Sequence, residues 1–560
     1  MEAAMRKKTA YNSLSEDLSK RSTNTKTFHV LPNRHRTMSF AEQVHYLDRS
    51  SGAYEAIDNT LVSCDTGLQN KANGDMKVSL CSDGISLTHP DGYRLSWRLE
   101  GAEKIEPKTV AAEIDRKAAV RDMEEDLYGH IDLRPVSDEV KAAREKIAEA
   151  LVDELSHIGS EAVYSGILPG TDLVCTLSGV NFKDHLVFTS KESVRPVTFE
   201  FTCENLTLKE TEGSLALLDD HGEAVYVFQI PVCMDSSEAG EQQEVQYAVE
   251  RKGEAGQFSV TYTLAEKWLD EAVFPVILDP AVVTYNARCA IQDAYSSSKQ
   301  PNTAHSGTNS NLVRLTRGSS SWGVCNCFYR FGENVLPVLD SSDYIVYAQF
   351  RVVTAQSGYP TSAFDATVHE VTSTWTPGTL THNNMPSYGD KVLDYSHLNS
   401  NEGEGHYHTF DITNLVRKWY SGTNYGVMLK AESNTYAQLR SSAYTQNTGY
   451  RPLVIIDYLS KAGLENYLSY ESHSIGRGGT GHVSLFNGNL IYEHQDTSTT
   501  GNILPISVHH VYNSCYRGVQ AFWEGFGWKL NMQQELRRET ISGVLYYTWI
   551  DEDGTEVYFV

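Results

Sequence analysis

Apolar and polar side chains alternate along much of the chain in short runs with the period of a β-strand. In Tyr344–Thr354 the apolar side chains fall on one face, and Gln349 and Arg351 fall on the other. This two-residue period is typical of a half-buried strand. Similar runs, separated by clusters of Gly, Pro, Asn and Ser, occur at Val324–Phe331, Phe364–Val371, Tyr407–Ile412, Val427–Ala431 and Leu453–Tyr458. The pattern predicts a mainly β fold, with a jelly-roll-like β-sandwich at residues 285–458.

Helical spacing interrupts the strand pattern in two places. Apolar residues recur at helical intervals from Val140 to Leu155, and a weaker helical pattern covers Val110–Tyr128. Ser137 is placed to cap the start of the stronger helix and Gly159 to end it. We interpret this insertion, at about residues 110–158, as a solvated helical hairpin rather than a partner-binding arm. A further short helix is expected near Asp411 or Thr413.

Composition limits the classes of partner. The 560 residues carry a formal net charge of −25, which argues against nucleic acid and anionic lipid as ligands. Charges nearly balance between Tyr285 and Tyr458, so the sandwich itself suits a neutral polymer at least as well as a polyanion. No apolar run approaches the roughly 18 residues that a membrane helix needs.

The amino terminus and the cysteines give weaker signals. Residues 1–26 form a polar, basic leader without the apolar segment of a secretory signal, so we expect the true start to lie upstream. Nine cysteines are scattered along the chain and do not form a disulfide framework. Cys325 and Cys327 are expected on one face of a strand, as small buried hydrophobic residues rather than metal ligands.

A series of ordered landmarks identifies a relative of the sandwich. They are Gln292-Asp293-Ala294-Tyr295, Val368-His369-Glu370-Val371, Trp375, Thr381–Pro386, Phe410-Asp411-Ile412-Thr413, Trp419–Gly422 and Arg451-Pro452. Their succession resembles the DNRLRE-type domain, a bacterial extracellular β-sandwich grouped with carbohydrate-binding modules. The resemblance implies glycan binding outside the cell or at the cell wall. The six letters that name that family do not occur here.

The flanking regions resemble parts of Gram-positive RHS-repeat and wall-associated proteins. The amino-terminal resemblance, residues 27–284, rests on Asn24–Phe28, Val44-His45-Tyr46, Ile57–Leu61, Trp268-Leu269-Asp270 and Phe274–Asp279. It implies a β-rich domain that contains the helical insertion. Residues 459–560 resemble the start of an RHS β-shell, through Gly476–Gly481, Gly525–Asn531 and Asp551–Glu556, and are expected to be its truncated front end. Gly476–Gly481 also fits the dinucleotide pattern G-x-G-x-x-G, but a predicted strand follows where that motif needs a helix.

Stacking aromatic rings and planar polar groups are the side chains that a polysaccharide site needs. Trp375, Asn383, Asn384 and Tyr388 lie within one loop-rich segment, and Arg440 lies near the end of the module. We predict that these five residues bind carbohydrate. The alternative is structural: Trp375 anchors the core and the two asparagines fix turns.

Two sets of residues offer weaker metal sites. Asp293 and Asp457, at the two ends of the module, offer oxygen ligands for a structural calcium ion if they meet at one edge. No other cofactor is expected. His406 and His408 alternate along a strand as an imidazole pair, but the sequence shows no third ligand, which favours a structural interpretation.

The motifs of common enzymes are missing from the sequence. No nucleophile elbow, zinc helix or P-loop occurs, although two distant acids of a glycosidase would leave no motif. The leading hypothesis is a non-enzymatic surface or secreted protein that binds a glycan through the sandwich and forms the front of an RHS scaffold for toxin delivery. A ligand-free spacer and a polysaccharide-active enzyme are the alternatives.

Overall fold

The computed structural model describes residues 13–111, 115–131, 136–211, 214–228, 231–237, 242–253, 256–279, 282–284, 290–306, 312–339, 343–355, 360–399, 402–444, 448–460, 463–466, 468–485, 488–501, 503–516 and 525–560. The first twelve residues of the predicted leader lie outside this set. The protein is mainly β, with 51% strand and 13% helix, which confirms the predicted class. Within the described part of the chain, no helix is long and apolar enough to span a membrane.

The amino-terminal region consists of strands β1–β23 with helices α1–α3. Its elements are β1 (Thr25–Leu31), β2 (Arg34–Phe40), β3 (His45–Leu47), β4 (Tyr54–Ala56), β5 (Asp58–Cys64), β6 (Gly67–Ala72), β7 (Lys77–Cys81), β8 (Gly84–Thr88), β9 (Arg94–Leu99), β10 (Lys108–Val110), α1 (Arg116–Tyr128), α2 (Asp138–Ser156), β11 (Gly159–Leu168), β12 (Thr171–Ser178), β13 (Asn181–Phe188), β14 (Val197–Glu204), β15 (Thr207–Thr211), β16 (Ser214–Leu218), β17 (Ala224–Phe228), β18 (Val232–Met234), β19 (Gln242–Glu244), β20 (Gln246–Arg251), β21 (Gln257–Thr263), α3 (Glu266–Leu269), β22 (Val276–Asp279) and β23 (Val282–Thr284).

Three antiparallel sheets share one hydrophobic core in this region. Their orders are β20-β21-β14-β9-β8-β7-β6-β5, β10-β11-β12-β13-β22-β18-β19 and β15-β16-β17-β23. Trp97 and Phe201 stack in that core, at 6.0 Å between ring centroids. The turn residues Asp83 and Gly92 lie between paired strands, where their sequence patterns place them.

The sandwich contains β24 (Ile291–Tyr295), β25 (His305–Ser306), β26 (Leu312–Ser319), β27 (Gly323–Cys325), β28 (Cys327–Phe331), β29 (Asp343–Val353), β30 (Phe364–Val371), β31 (Tyr388–Leu398), β32 (Tyr407–Asp411), α4 (Thr413–Trp419), β33 (Val427–Ala431), β34 (Tyr436–Arg440) and β35 (Leu453–Ser460). A six-stranded sheet, β25-β24-β28-β33-β30-β31, packs against a five-stranded sheet, β1-β2-β35-β29-β32. Phe350 carries the contact between them, with its ring 4.8 Å from Tyr329 and 5.5 Å from Phe331. A third sheet, β27-β26-β34, completes this part.

The hairpin β1–β2 lies outside the predicted sandwich residues, yet it extends the sandwich sheet. Strand β2 pairs with β35 over seven residues, from Arg34 opposite Leu459 to Phe40 opposite Leu453. The Arg36 guanidinium donates to both carboxylate oxygens of Asp457, at 2.6 and 2.7 Å, and Arg34 donates to the same carboxylate. The sandwich therefore takes two strands from a distant part of the sequence.

The predicted helical insertion is confirmed, but its interpretation as a solvated hairpin is wrong for one face. Ser137 caps α2 as expected, and the helix ends at Ser156, before Gly159. Leu127 and Leu151 pack with Met38 and Ile455 in one buried cluster. The two helices thus cover the outer face of the five-stranded sheet, where apolar side chains of β1, β2 and β35 would otherwise meet water.

The carboxy-terminal region forms two smaller sheets. It contains β36 (Tyr470–Ser474), β37 (Thr480–Ser484), β38 (Leu490–Thr499), β39 (Ile506–Asn513), β40 (Trp528–Leu530), β41 (Glu535–Ile541), β42 (Val544–Ile550) and β43 (Glu556–Phe559). The orders are β36-β37-β38-β39-β40 and β41-β42-β43. Strand β37 follows the glycine-rich turn Gly476–Gly478, so the context that a dinucleotide motif needs is absent from this part of the described chain.

Candidate functional site

Trp375 lies in the loop between β30 and β31, which folds over one end of the outer face of the six-stranded sheet. Its side chain is 7% exposed and packs against Phe328 and Met428. The indole Nε1 donates a hydrogen bond to the Tyr425 carbonyl at 2.9 Å. A ring that is almost fully buried and hydrogen-bonded at its nitrogen anchors the loop, as the structural alternative expected.

The predicted asparagines hold the same loop in shape. The Asn384 side chain accepts from the Thr381 backbone N–H at 2.6 Å and donates to the Thr379 carbonyl at 2.8 Å. Asn383 donates to the Asn302 side-chain oxygen at 2.7 Å, which ties the loop to the segment after β24. Both asparagines are exposed, so their remaining hydrogen-bonding capacity faces solvent.

Tyr388, the fourth predicted residue, begins an open polar stretch of the outer face of the six-stranded sheet. It is 36% exposed, and its ring lies 5.9 Å from that of His369. Further along, Tyr395 of β31 pairs with Thr367 of β30, which pairs with Lys430 of β33. Paired residues share a face, so these three side chains form a row across three strands.

We call Tyr388, Tyr395, Thr367, Lys430 and Glu432 the outer-face surface. Tyr395 is 61% exposed, and Glu432 accepts from the Thr367 hydroxyl at 3.1 Å and lies 3.5 Å from the Lys430 ammonium. The surface thus presents two aromatic rings beside an ammonium and a carboxylate, while the buried Thr367 hydroxyl holds Glu432 in place. These are groups that can stack on a sugar ring and hydrogen-bond its hydroxyls.

Sequence reasoning missed Tyr395 because of local irregularities in β31. Tyr388 and Tyr395 are an odd number of residues apart, so strict alternation would place them on opposite faces. The pairing of β30 with β31 shifts register on both sides of His369. Extra residues in β31 return both tyrosines to the outer face.

Arg440, the fifth predicted residue, belongs to a different cluster. Its guanidinium pairs with Glu404 and lies 3.9 Å from the ring centroid of Tyr444, which is parallel to Tyr450 at 6.5 Å. Glu404, Tyr444 and Tyr450 line a cavity of about 950 Å³ between the sandwich and the amino-terminal region. Burial raises the pKa of Tyr444 to about 12, which keeps this phenol neutral.

The two calcium candidates have different partners. Asp293 is fully buried, accepts from the Ser442 backbone N–H at 2.6 Å, and has its pKa raised by burial to about 7. Both carboxylate oxygens of Asp457 accept from arginine side chains. A carboxyl that is partly protonated at neutral pH and a doubly paired carboxylate are poor calcium ligands. Calcium binding by this chain stays a prediction.

The imidazole pair has the third partner that the sequence did not reveal. Glu402, His406 and His408 each offer one ligand atom, and these atoms lie within 4.8 Å of one another. Burial favours the neutral form of Glu402, but hydrogen bonds from His408 and the Asn399 backbone lower the pKa to about 2. The carboxylate is therefore charged at neutral pH.

Comparison with known families supports the glycan prediction in its broad form. Residues 284–457 match the model of carbohydrate-binding module family 96. Residues 480–559 match a domain of unknown function, DUF6531. No curated protein matches the chain. The first match covers the sandwich and places its similarity with a family of carbohydrate-binding modules.

Proposed function

We propose that the sandwich binds a polysaccharide on its outer-face surface. The match of residues 284–457 to a carbohydrate-binding module family carries the proposal. The geometry supports this surface over the Arg440 cluster, because Tyr395 is 61% exposed whereas Tyr444 is 3% exposed and covered by a guanidinium. An extended sheet face also accommodates several sugar units of a polymer. The positive charge of Lys430 and the negative charge of Glu432 offset each other, so a hydroxyl-rich neutral glycan suits the surface.

Affinity electrophoresis tests this proposal. The chain of residues 1–560 should be retarded in gels that contain a bacterial wall or plant polysaccharide. Tyr395→Ala and Tyr388→Ala should each weaken binding at least about fivefold, as expected for the loss of an aromatic anchor. Tyr420→Ala is the matched control, because Tyr420 is similarly exposed but follows α4, away from the outer-face surface.

The outcomes separate the candidate surfaces. Unchanged binding in both tyrosine variants, with loss in Glu404→Gln, would move the site to the Arg440 cluster. Failure of every polymer to retard the folded chain would favour the ligand-free spacer.

We further propose that the protein is a non-enzymatic, extracellular or wall-associated glycan binder whose residues 459–560 begin an RHS-type shell for toxin delivery. The bacterial extracellular family that the sandwich resembles and the distinct carboxy-terminal sheets support this wider role. Incubation with the bound polymer should release no reducing ends, and cell fractionation should recover the protein at the wall. Released sugars would identify an enzyme instead.

A further inference from the structure

The edge where β32 approaches β31 brings together two imidazoles and a carboxylate. His408 Nε2 lies 2.8 Å from Glu402 Oε2, and His406 Nε2 lies 3.8 Å from Glu402 Oε1. The two imidazole rings are 5.1 Å apart. His408 points between the sheets and is 2% exposed, whereas the His406 side chain is 54% exposed. The cluster is therefore anchored on one side and open to solvent on the other.

We propose that Glu402, His406 and His408 bind a divalent transition-metal ion of the zinc class. Zinc takes imidazole nitrogen at about 2.0–2.1 Å and carboxylate oxygen at about 2.0–2.2 Å. Two such ligands in tetrahedral geometry are about 3.4 Å apart, a value between the two observed nitrogen–oxygen distances. Two nitrogen donors select zinc, nickel or copper over calcium or magnesium. The solvent-facing side of His406 leaves a fourth position for water.

Hydrogen bonds already hold the ligand-bearing loop in place. The Thr354 backbone N–H donates to the His406 carbonyl at 2.9 Å, and the Gly405 N–H donates to the Thr354 carbonyl at 3.0 Å. The Asn399 N–H donates to Glu402 Oε1 at 2.6 Å. Outer contacts of this kind orient the first ligands of metal sites. Metal binding would replace the His408–Glu402 hydrogen bond and the 3.1 Å contact between Thr354 Oγ1 and His408 Nε2 with two metal bonds.

The site also bears on the neighbouring cluster. Glu404, which pairs with Arg440, lies between the proposed ligands in the sequence. A bound metal would fix this loop against the end of β29. The proposal is independent of glycan binding, because none of the three ligands belongs to the outer-face surface.

Calorimetric titration of the metal-stripped chain with Zn²⁺ at pH 7.5 tests the site. The wild type should bind one zinc ion more than His406→Gln or Glu402→Gln. Loss of a residue that only orients a metal ligand typically costs ~10–100-fold in affinity, so loss of a ligand itself should cost at least as much. His397→Gln is the matched control, because His397 also pairs with a carboxylate, Asp365 at 2.8 Å, on the adjacent strand. It should bind as many ions as the wild type.

His406→Gln should fold normally because that side chain is exposed, and circular dichroism checks this. Co²⁺ in place of Zn²⁺ should give visible absorption bands that His406→Gln lacks. Equal stoichiometry in the wild type and His406→Gln, or no binding at micromolar Zn²⁺, would overturn the proposal.

Discussion

At the scale of single residues, burial separates aromatic side chains that hold the fold from those that can meet a ligand. Trp375→Ala should lower the free energy of unfolding of the sandwich by roughly 3–5 kcal/mol, because it empties a packed site and leaves the Tyr425 carbonyl without its donor. Chemical denaturation followed by circular dichroism measures the free energy of unfolding. Tyr395→Ala is the control, because removal of an exposed ring should leave this free energy nearly unchanged. Intact stability with lost glycan binding in Trp375→Ala would instead return Trp375 to the site.

A buried carboxyl makes stability depend on pH. Asp184 accepts from Trp97 Nε1 at 2.8 Å, and burial raises its pKa from 3.8 to about 7. The folded state therefore holds this proton more tightly than the unfolded state. The resulting stabilisation is complete below about pH 4 and is lost as the pH rises through 7.

Asp184→Asn removes that dependence, since the amide keeps an acceptor for Trp97 and stays neutral. The variant should match the wild type near pH 4 and exceed its unfolding free energy at pH 8, by up to about 4 kcal/mol for a shift of this size. Unfolding curves at several pH values give the difference, with the exposed Asp220→Asn as control. A variant that is less stable than the wild type at pH 8 would contradict the assignment.

At the scale of elements, the hairpin β1–β2 is the least predictable feature. We expect the fragment of residues 285–458 to be less stable than the same sandwich in the full chain, and to associate through the exposed edge of β35. A peptide of residues 13–43 should restore a monomer by strand addition. Size-exclusion chromatography and thermal melting distinguish the outcomes, and a monomeric fragment with an unchanged melting temperature would show that the hairpin is dispensable.

The sequence predicts elements well where the pattern is local. Strand period, turn residues and the cap at Ser137 all have local physical causes, and the structure has the corresponding strands, turns and helix. The pairing of β2 with β35 depends on complementarity between residues more than four hundred positions apart, such as Arg36 and Asp457. The proximity of Glu402 to the two histidines depends on the path of one loop. Neither this proximity nor the β2–β35 pairing leaves a periodic signal in the sequence.

At the scale of the whole molecule, the carboxy-terminal sheet leaves an apolar face uncovered. Leu536 pairs with Trp549, which pairs with Val557, and Tyr547 pairs with Phe559. Paired residues share a face, and all five side chains are exposed. The opposite face, with Ile541 and Tyr546, is buried against Leu31 of β1. One face of this sheet is therefore packed against β1, and the other is an apolar surface exposed to water.

Contiguous exposed apolar surface of this kind promotes association. The chain of residues 1–560 should self-associate with rising concentration in sedimentation velocity and bind a hydrophobic dye. Leu536→Lys combined with Val557→Lys should reduce both, since two ammonium groups on that face repel a second copy. Asp220→Asn combined with Glu223→Gln, at two exposed positions, changes the net charge by the same two units and should leave association unchanged. A wild-type chain that stays monomeric at high concentration without binding dye would show that this face is covered in solution.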